Sequence, residues 1–160
     1  MVKLYFLRHG VAYDREEWTG DNDELRPLTD GGVDAMKREA KAMRAMKLKL
    51  DVIVTSPLVR ARDTAKIVSK ALDVKVEEND LLKPGFNPKT LKALLQQYAD
   101  ARRIMIVGHE PDFSSVIGKL IGRGTVVMRK GGLARVDITA QSPSLRGELV
   151  WLLTPSLLNA

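Results

Sequence analysis

The 160-residue chain contains no cysteine, which excludes disulfides and thiolate chemistry and suits a reducing, cytoplasmic setting. Aromatic residues are scarce. Two tryptophans, three tyrosines and three phenylalanines are too few for a platform on which nucleic-acid bases could stack. No apolar run reaches the roughly 18 residues of a membrane span, so no membrane partner is expected. The amino terminus lacks a basic region, an apolar region and a cleavage site in series, so no secretion signal is expected. No glycine-rich loop followed by Lys and Ser or Thr occurs, and ATP binding is left without a motif. Histidine is rare too: there are only two, and their placement is the most informative feature of the sequence.

What is present describes a globular protein. Hydrophobic residues make up 44% and charged residues 29%, and the length suits one domain spanning residues 1–160. The net charge is +6 and the pI about 9.7. The basic residues are dispersed. Their densest stretch, Lys37 to Lys49, is spaced like the wet face of a helix and is interrupted by Glu39, so no nucleic-acid partner is expected.

Val2–Leu7 is a short apolar run that predicts a strand buried on both faces, ending in Arg8-His9-Gly10. A long polar stretch follows, Val11 to Leu28, and long loops in compact domains tend to be functional. Thr29 or Asp30 then caps a helix with Val33, Met36, Ala40 and Met43 on its apolar stripe. Asp51–Thr55 predicts a second strand. Ser56 is the expected N-cap of the next helix, with Pro57 at its start, continuing to about Leu72. A short strand at Val74–Glu77, a helix ending near Tyr98 and a strand at Arg103–Val107 come next. Gly108-His109-Glu110-Pro111 then leads into a helix closed by Gly122 and Gly124. Two final strands, Gly131–Ile138 and Glu148–Leu153, form a hairpin. Strands alternating with helices predict an α/β sandwich of three layers. Its central sheet is mostly parallel, with at least one antiparallel strand and helices on both faces.

Each histidine follows an apolar strand. If both strands are parallel members of one sheet, both imidazoles emerge at the carboxyl edge, where ligands of open α/β sheets bind. The strand before Arg60 delivers it to the same edge, on the first turn of a helix. Two arginines, two imidazoles and helix N-termini make a pocket for an anion the size of phosphate. Sulfate or a carboxylate would meet the same groups. His9 offers a nitrogen that can attack, and Gly10 permits close approach of the backbone. His9 and His109 with Glu110 or Asp112 could in principle hold zinc, but neighbouring Arg8 and Arg60 oppose a dication, and no metal or other cofactor is expected. Arg26 belongs either to the pocket rim or to a surface ion pair.

These residues resemble the histidine phosphatase superfamily. Arg8-His9-Gly10, Leu28-Thr29-x-x-Gly32, Ser56-Pro57-x-x-Arg60-Ala61-x-x-Thr64-Ala65 and Gly108-His109 match its motifs in order. The short chain, Arg26-Pro27-Leu28-Thr29, His109-Glu110-Pro111 and Lys130-Gly131-Gly132 are similar to SixA-type phosphohistidine phosphatases. The resemblance implies that His9 is the nucleophile and becomes transiently phosphorylated, with Arg8, Arg60 and His109 holding phosphoryl oxygens and Gly10 and Arg26 contributing to substrate binding. It implies a phosphohistidine-bearing phosphotransfer protein as partner; a monomer is expected, though no residue pattern speaks to the oligomeric state. A small-molecule phosphomonoesterase of the same superfamily and a catalytically silent phosphate-binding module are the competing readings. For His9 to attack it must be neutral. Its other nitrogen should donate to a backbone carbonyl near Gly10, and the nearby arginines should disfavour its cation. No motif identifies a general acid; Asp14, Glu16, Glu77, Glu78, Asp80 and Glu110 are the available carboxyls.

Overall fold

The apolar run at the amino terminus forms β1 (Val2–Arg8), with Leu4 and Phe6 in one core and Tyr5 and Leu7 in another. In the computed structural model, which describes residues 1–160, the other elements follow in order. They are α1 (Asp30–Ala45), β2 (Val52–Thr55), α2 (Val59–Leu72), β3 (Val76–Glu78), α3 (Pro88–Gln97), β4 (Arg103–Gly108), α4 (Asp112–Leu120), β5 (Leu133–Ala140), β6 (Arg146–Leu153) and α5 (Pro155–Leu158). Short 3-10 turns occupy Asp23–Leu25 and Asp80–Leu82. The periodicity of the sequence does not reveal these turns or α5, because a single helical turn is too short to repeat.

One six-stranded sheet has the order β3-β2-β4-β1-β5-β6. The four strands from β3 to β1 run parallel, and β5 and β6 are antiparallel to their neighbours. Leu91, Leu94 and Leu95 of α3 and Phe113, Val116 and Ile117 of α4 cover one face. Met36, Ala40 and Met43 of α1, Ala61, Ala65 and Val68 of α2, and Leu158 of α5 cover the other. This is the expected three-layer α/β arrangement. No helix is long and apolar enough to cross a membrane.

Four local details differ from the sequence pattern or resolve it. Thr29 is the cap of α1, its hydroxyl accepting from Gly32 N at 2.9 Å. Ser56 is not the helix cap: α2 begins only at Val59, after Leu58, and the Ser56 hydroxyl contacts Leu58 N and His109 instead. β3 lies two residues nearer its start and one nearer its end to the carboxyl terminus than the Val74–Glu77 run suggests. Glu39 does not sit among the exposed basic residues of α1. It shares the inward face with Met36, Ala40 and Met43 and is buried.

Candidate active site

Strand register decides which side chains meet. β1 and β4 pair with Arg8 opposite Gly108, so the next residue of each strand is a histidine. His9 N donates to Gly108 O at 3.1 Å. The two imidazole rings lie 5.4 Å apart between centroids, inclined by 56°. On the other side of β4, Thr55 of β2 is opposite Val107, which brings Ser56 beside His109. The first turn of α2 then delivers Arg60. Arg8, His9, Arg60 and His109 all line one cleft of about 390 Å³ at the carboxyl ends of the parallel strands. A larger, shallower depression of about 650 Å³ runs along α4 and meets this cleft at Pro111, but holds neither imidazole nor either of these arginines.

His9 Nδ1 lies 2.7 Å from Gly10 O. A carbonyl can only accept, so Nδ1 carries the proton and Nε2 keeps its lone pair. Burial pushes the His9 pKa down to about 3; the Gly10 carbonyl works the other way, and His109, Arg60 and Arg8 add to the lowering. His109 is pushed down to about 4, again mainly by burial, then by Arg60, with Asp23 opposing and Arg26 and Arg8 assisting. Both rings are therefore neutral at pH 7. The arginines act in the expected direction, but removal from water is the larger cause for each ring.

Ser56 Oγ accepts from Leu58 N at 3.3 Å and lies 2.8 Å from His109 Nε2. One proton joins Ser56 Oγ and His109 Nε2, and its side sets the tautomer: donation by Ser56 puts the ring proton on Nδ1, donation by Nε2 leaves Nδ1 an acceptor. Of the five buried side-chain polar atoms with no hydrogen-bond partner, three are His109 Nδ1, Arg8 Nε and Arg60 Nε. Buried polar nitrogens are rarely left unpaired, and three of them on residues lining one cleft, two of them guanidinium donors, suit an oxyanion.

The floor of the cleft is fixed by the segment before β5. Arg8 donates from its guanidinium to Met128 O at 2.8 Å and from its backbone N to Gly132 O at 3.1 Å. Gly131 N is shared between Arg8 O and His9 O, 3.1 Å from each. Gly131 has φ +77°, where a side chain is rarely accommodated. Gly10 lies beneath the cleft rather than lining it: its N donates to Thr64 Oγ1 at 3.0 Å, and a side chain there would collide with Met36. Arg26 lines the cleft and is also ion-paired, its Nε 2.9 Å from Asp23 Oδ1 and its NH1 2.5 Å from Tyr13 O.

Among the available carboxyls, Asp14, Glu16, Glu77, Glu78 and Asp80 do not line the cleft, and Glu110 does. Both Glu110 oxygens accept hydrogen bonds, from Ser114 N at 2.8 Å and from the Ser114 hydroxyl. Asp112 lines the cleft as well and accepts from Gly85 N at 2.8 Å. The sequence motifs contain Ser56 and Lys130 without giving either a role in the site, and Asp23 lies in none of them. Asp23 is signalled only by its i,i+3 spacing to Arg26. Ser56 is signalled by ending β2 as the histidines end β1 and β4.

A family model of the histidine phosphatase superfamily (branch 1) matches residues 4–84. The chain belongs to that superfamily. An uncharacterized protein of Picosynechococcus is 37% identical over 114 residues, covering 69% of this chain and 68% of its own length. The phosphohistidine phosphatase SixA of Escherichia coli is 23% identical over 161 residues, covering 96% of this chain and 94% of SixA. In three dimensions, the protein histidine phosphatase SixA complexed with tungstate superposes with a TM-score of 0.84 at 22% identity, covering 97% of this chain and 98% of that one. That likeness is one of fold. Within the histidine phosphatase match, residues 4–84 include Arg8, His9, Arg26 and Arg60, whereas His109 comes from beyond it and is brought in by β4.

Proposed function

We propose that this chain, acting as a single domain over residues 1–160, hydrolyses phosphohistidine on phosphotransfer proteins through a phospho-His9 intermediate. The observation that carries the reading is the neutral His9, its Nδ1–H held by Gly10 O, beside three buried nitrogens without protein partners. In the first step His9 Nε2 attacks phosphorus as the substrate N–P bond breaks; the substrate ring, already protonated on its other nitrogen, keeps the bonding electron pair and departs as neutral imidazole. Arg8, Arg60 and His109 Nδ1–H bear on the phosphoryl oxygens as charge shifts across them. Water then cleaves the phospho-His9 bond, releasing inorganic phosphate and restoring neutral His9.

The carboxyl inventory favours phosphohistidine over a phosphate ester. An alkoxide needs a proton donor, and the two carboxylates that line the cleft are both engaged as hydrogen-bond acceptors. Imidazole, whose conjugate acid has a pKa near 6.5, leaves without strong acid assistance. The rim carries Arg15, Arg26 and Lys130, which suits an acidic protein partner. The likeness to SixA over nearly the whole chain supports the same substrate class, and a cysteine-free chain acting on phosphotransfer proteins fits a cytoplasmic monomer in signal transduction.

The test offers purified protein a phosphohistidine carrier beside a panel of phosphate esters, with trapping of the labelled enzyme. Rapid loss of label from the carrier and a phosphorylated His9 are expected. Turnover of esters with no action on phosphohistidine would favour a small-molecule phosphomonoesterase. Binding without turnover would favour a silent module. Vanadate, which mimics the transferring group, should inhibit competitively.

A further inference from the structure

Asp23 lies in the polar stretch after β1, at the start of the 3-10 turn Asp23–Leu25 that Asn22 caps. It does not line the cleft, yet it touches three arginines that do. Arg60 donates through NH1 to Asp23 O at 2.9 Å and through NH2 to Asp23 Oδ2 at 3.3 Å. Arg26 Nε reaches Asp23 Oδ1 at 2.9 Å, and Arg15 Nε reaches the same oxygen at 3.4 Å. One carboxylate thus divides its two oxygens between Arg60 on one side and Arg26 and Arg15 on the other.

This matters because Arg60 is only 4% exposed and sits among like charges. An arginine side chain has many rotamers, and repulsion from Arg26 and Arg15 would drive it away from the cleft. Asp23 ties down its two terminal nitrogens and leaves Nε without a protein partner. We propose that Asp23 is the positioning residue of the phosphate clamp, aligning Arg60 from behind and offsetting the charge of Arg26 and Arg15 so that all three can share one anion. Burial alone would raise the Asp23 carboxyl; the Arg26 hydrogen bond and the charges of Arg60, Arg26 and Arg15 outweigh it and hold the group below the usual carboxylate range. The carboxylate is therefore ionised wherever the clamp is used. A rival role is a brake, in which Asp23 competes with phosphate for Arg60. Its position outside the cleft lining argues for alignment.

The proposal rests on the reading of the cleft as a phosphate site, and calorimetric titration separates the two without any turnover. Inorganic phosphate and vanadate are titrated into the wild-type chain, Asp23→Ala, Asp23→Asn, Arg60→Ala and the Asp23→Ala/Arg60→Ala double variant. Asp23→Ala should bind about tenfold more weakly, the scale of one charge-assisted contact. Asp23→Asn keeps the backbone carbonyl and one side-chain acceptor and should recover part of the loss, which also covers the case in which the alanine variant fails to fold. In the Arg60→Ala background, Asp23→Ala should cost less than about twofold, because its effect runs through Arg60. Equal or tighter phosphate binding in Asp23→Ala and Asp23→Asn would make the carboxylate a brake and overturn the proposal, as would an undiminished loss in the Arg60→Ala background. If the wild-type chain binds neither anion, the phosphate site itself falls and the role of Asp23 with it.

Discussion

At the carboxyl ends of β1, β2 and β4, two arginines and two imidazoles line a cleft. A short way behind them, on the α1 side, the Glu39 carboxyl is buried against Gly131, the glycine whose N–H is shared by Arg8 O and His9 O. A side-chain carbon at Gly131 would come within 2.5 Å of Glu39 Oε1. Both regions hold buried polar atoms with no partner, Arg8 Nε, Arg60 Nε and His109 Nδ1 in one and Glu39 Oε2 in the other. They resolve the cost differently. The residues that carry the cleft's unpartnered atoms line a space that an anion can enter, and their guanidiniums stay charged. Glu39 has no such access, and burial, opposed only by Arg38, pushes its pKa up to about 8. It keeps its proton instead. An unpaired group is thus a functional sign only where a ligand can reach it.

The contrast can be broken at the cleft first. His9→Ala removes the proposed nucleophile, and phosphatase activity should fall by at least about a thousandfold with no labelled enzyme trapped. Activity that survived would remove the phosphoenzyme mechanism. Arg60→Ala deletes a buried guanidinium that lines the cleft and is proposed to hold the phosphoryl group, and kcat/KM should drop by roughly two powers of ten. A loss under about threefold would mean that the unpartnered Nε of Arg60 is no more a phosphate contact than the unpartnered oxygen of Glu39.

Much of the cleft was legible in the sequence because its parts are local. β1, β2 and β4 are short, mostly apolar runs, and Arg8, His9, Arg60 and His109 each lie at or within a few residues of the end of one. The tautomer of His9 followed from the same turn, since its acceptor is the next residue's carbonyl. What was not legible depends on contacts between distant segments. The Ser56-Pro57 pair has the look of a helix start, but Ser56 is spent on His109, 53 residues away. Asp23 resembles every other carboxylate of its loop until Arg60, 37 residues on, is seen to turn back to it. Glu39 reads as a break in a wet basic face. Its helical spacing from Met36 and Met43 placed it inside, but a buried glutamate goes against composition. Strand order has no signal in periodicity, because crossovers leave no mark on the residues of the strands they connect.

A middle-sized effect tests the hydroxyl that joins β2 to β4. Ser56→Ala removes the hydroxyl beside His109 Nε2, so the ring is free to carry its proton there. We expect about a tenfold loss, chiefly in kcat, with Ser56→Thr restoring most of it. Nitrogen chemical shifts of His109 should show the proton on Nδ1 in the wild-type chain and a mixture in Ser56→Ala. A wild-type ring protonated on Nε2 would leave His109 Nδ1 an acceptor, and it would no longer count among the donors of the cleft.

The smallest effect is expected behind the cleft, and it concerns stability. Glu39 titrates near 4.5 when unfolded and near 8 when folded. Between these values the folded chain holds a proton that the unfolded chain has lost, so this residue makes stability fall as pH rises from about 4.5 to about 8. The imidazoles act in the opposite sense. Their folded values, about 3 and about 4, lie below the ordinary 6.5, so their contribution is complete above about 6.5 and is lost as pH falls through those values. Glu39→Gln keeps the shape and removes only the acid. Its stability should match the wild-type chain near pH 5 and exceed it by roughly 1–3 kcal/mol near pH 8, as read from urea midpoints. Activity at pH 6 should change less than about twofold, since the amide still packs on Gly131 and touches no ligand. Parallel stability curves from pH 5 to 8 would mean that Glu39 is ionised in the fold and has found a counter-charge, and the two buried regions would then obey the same rule.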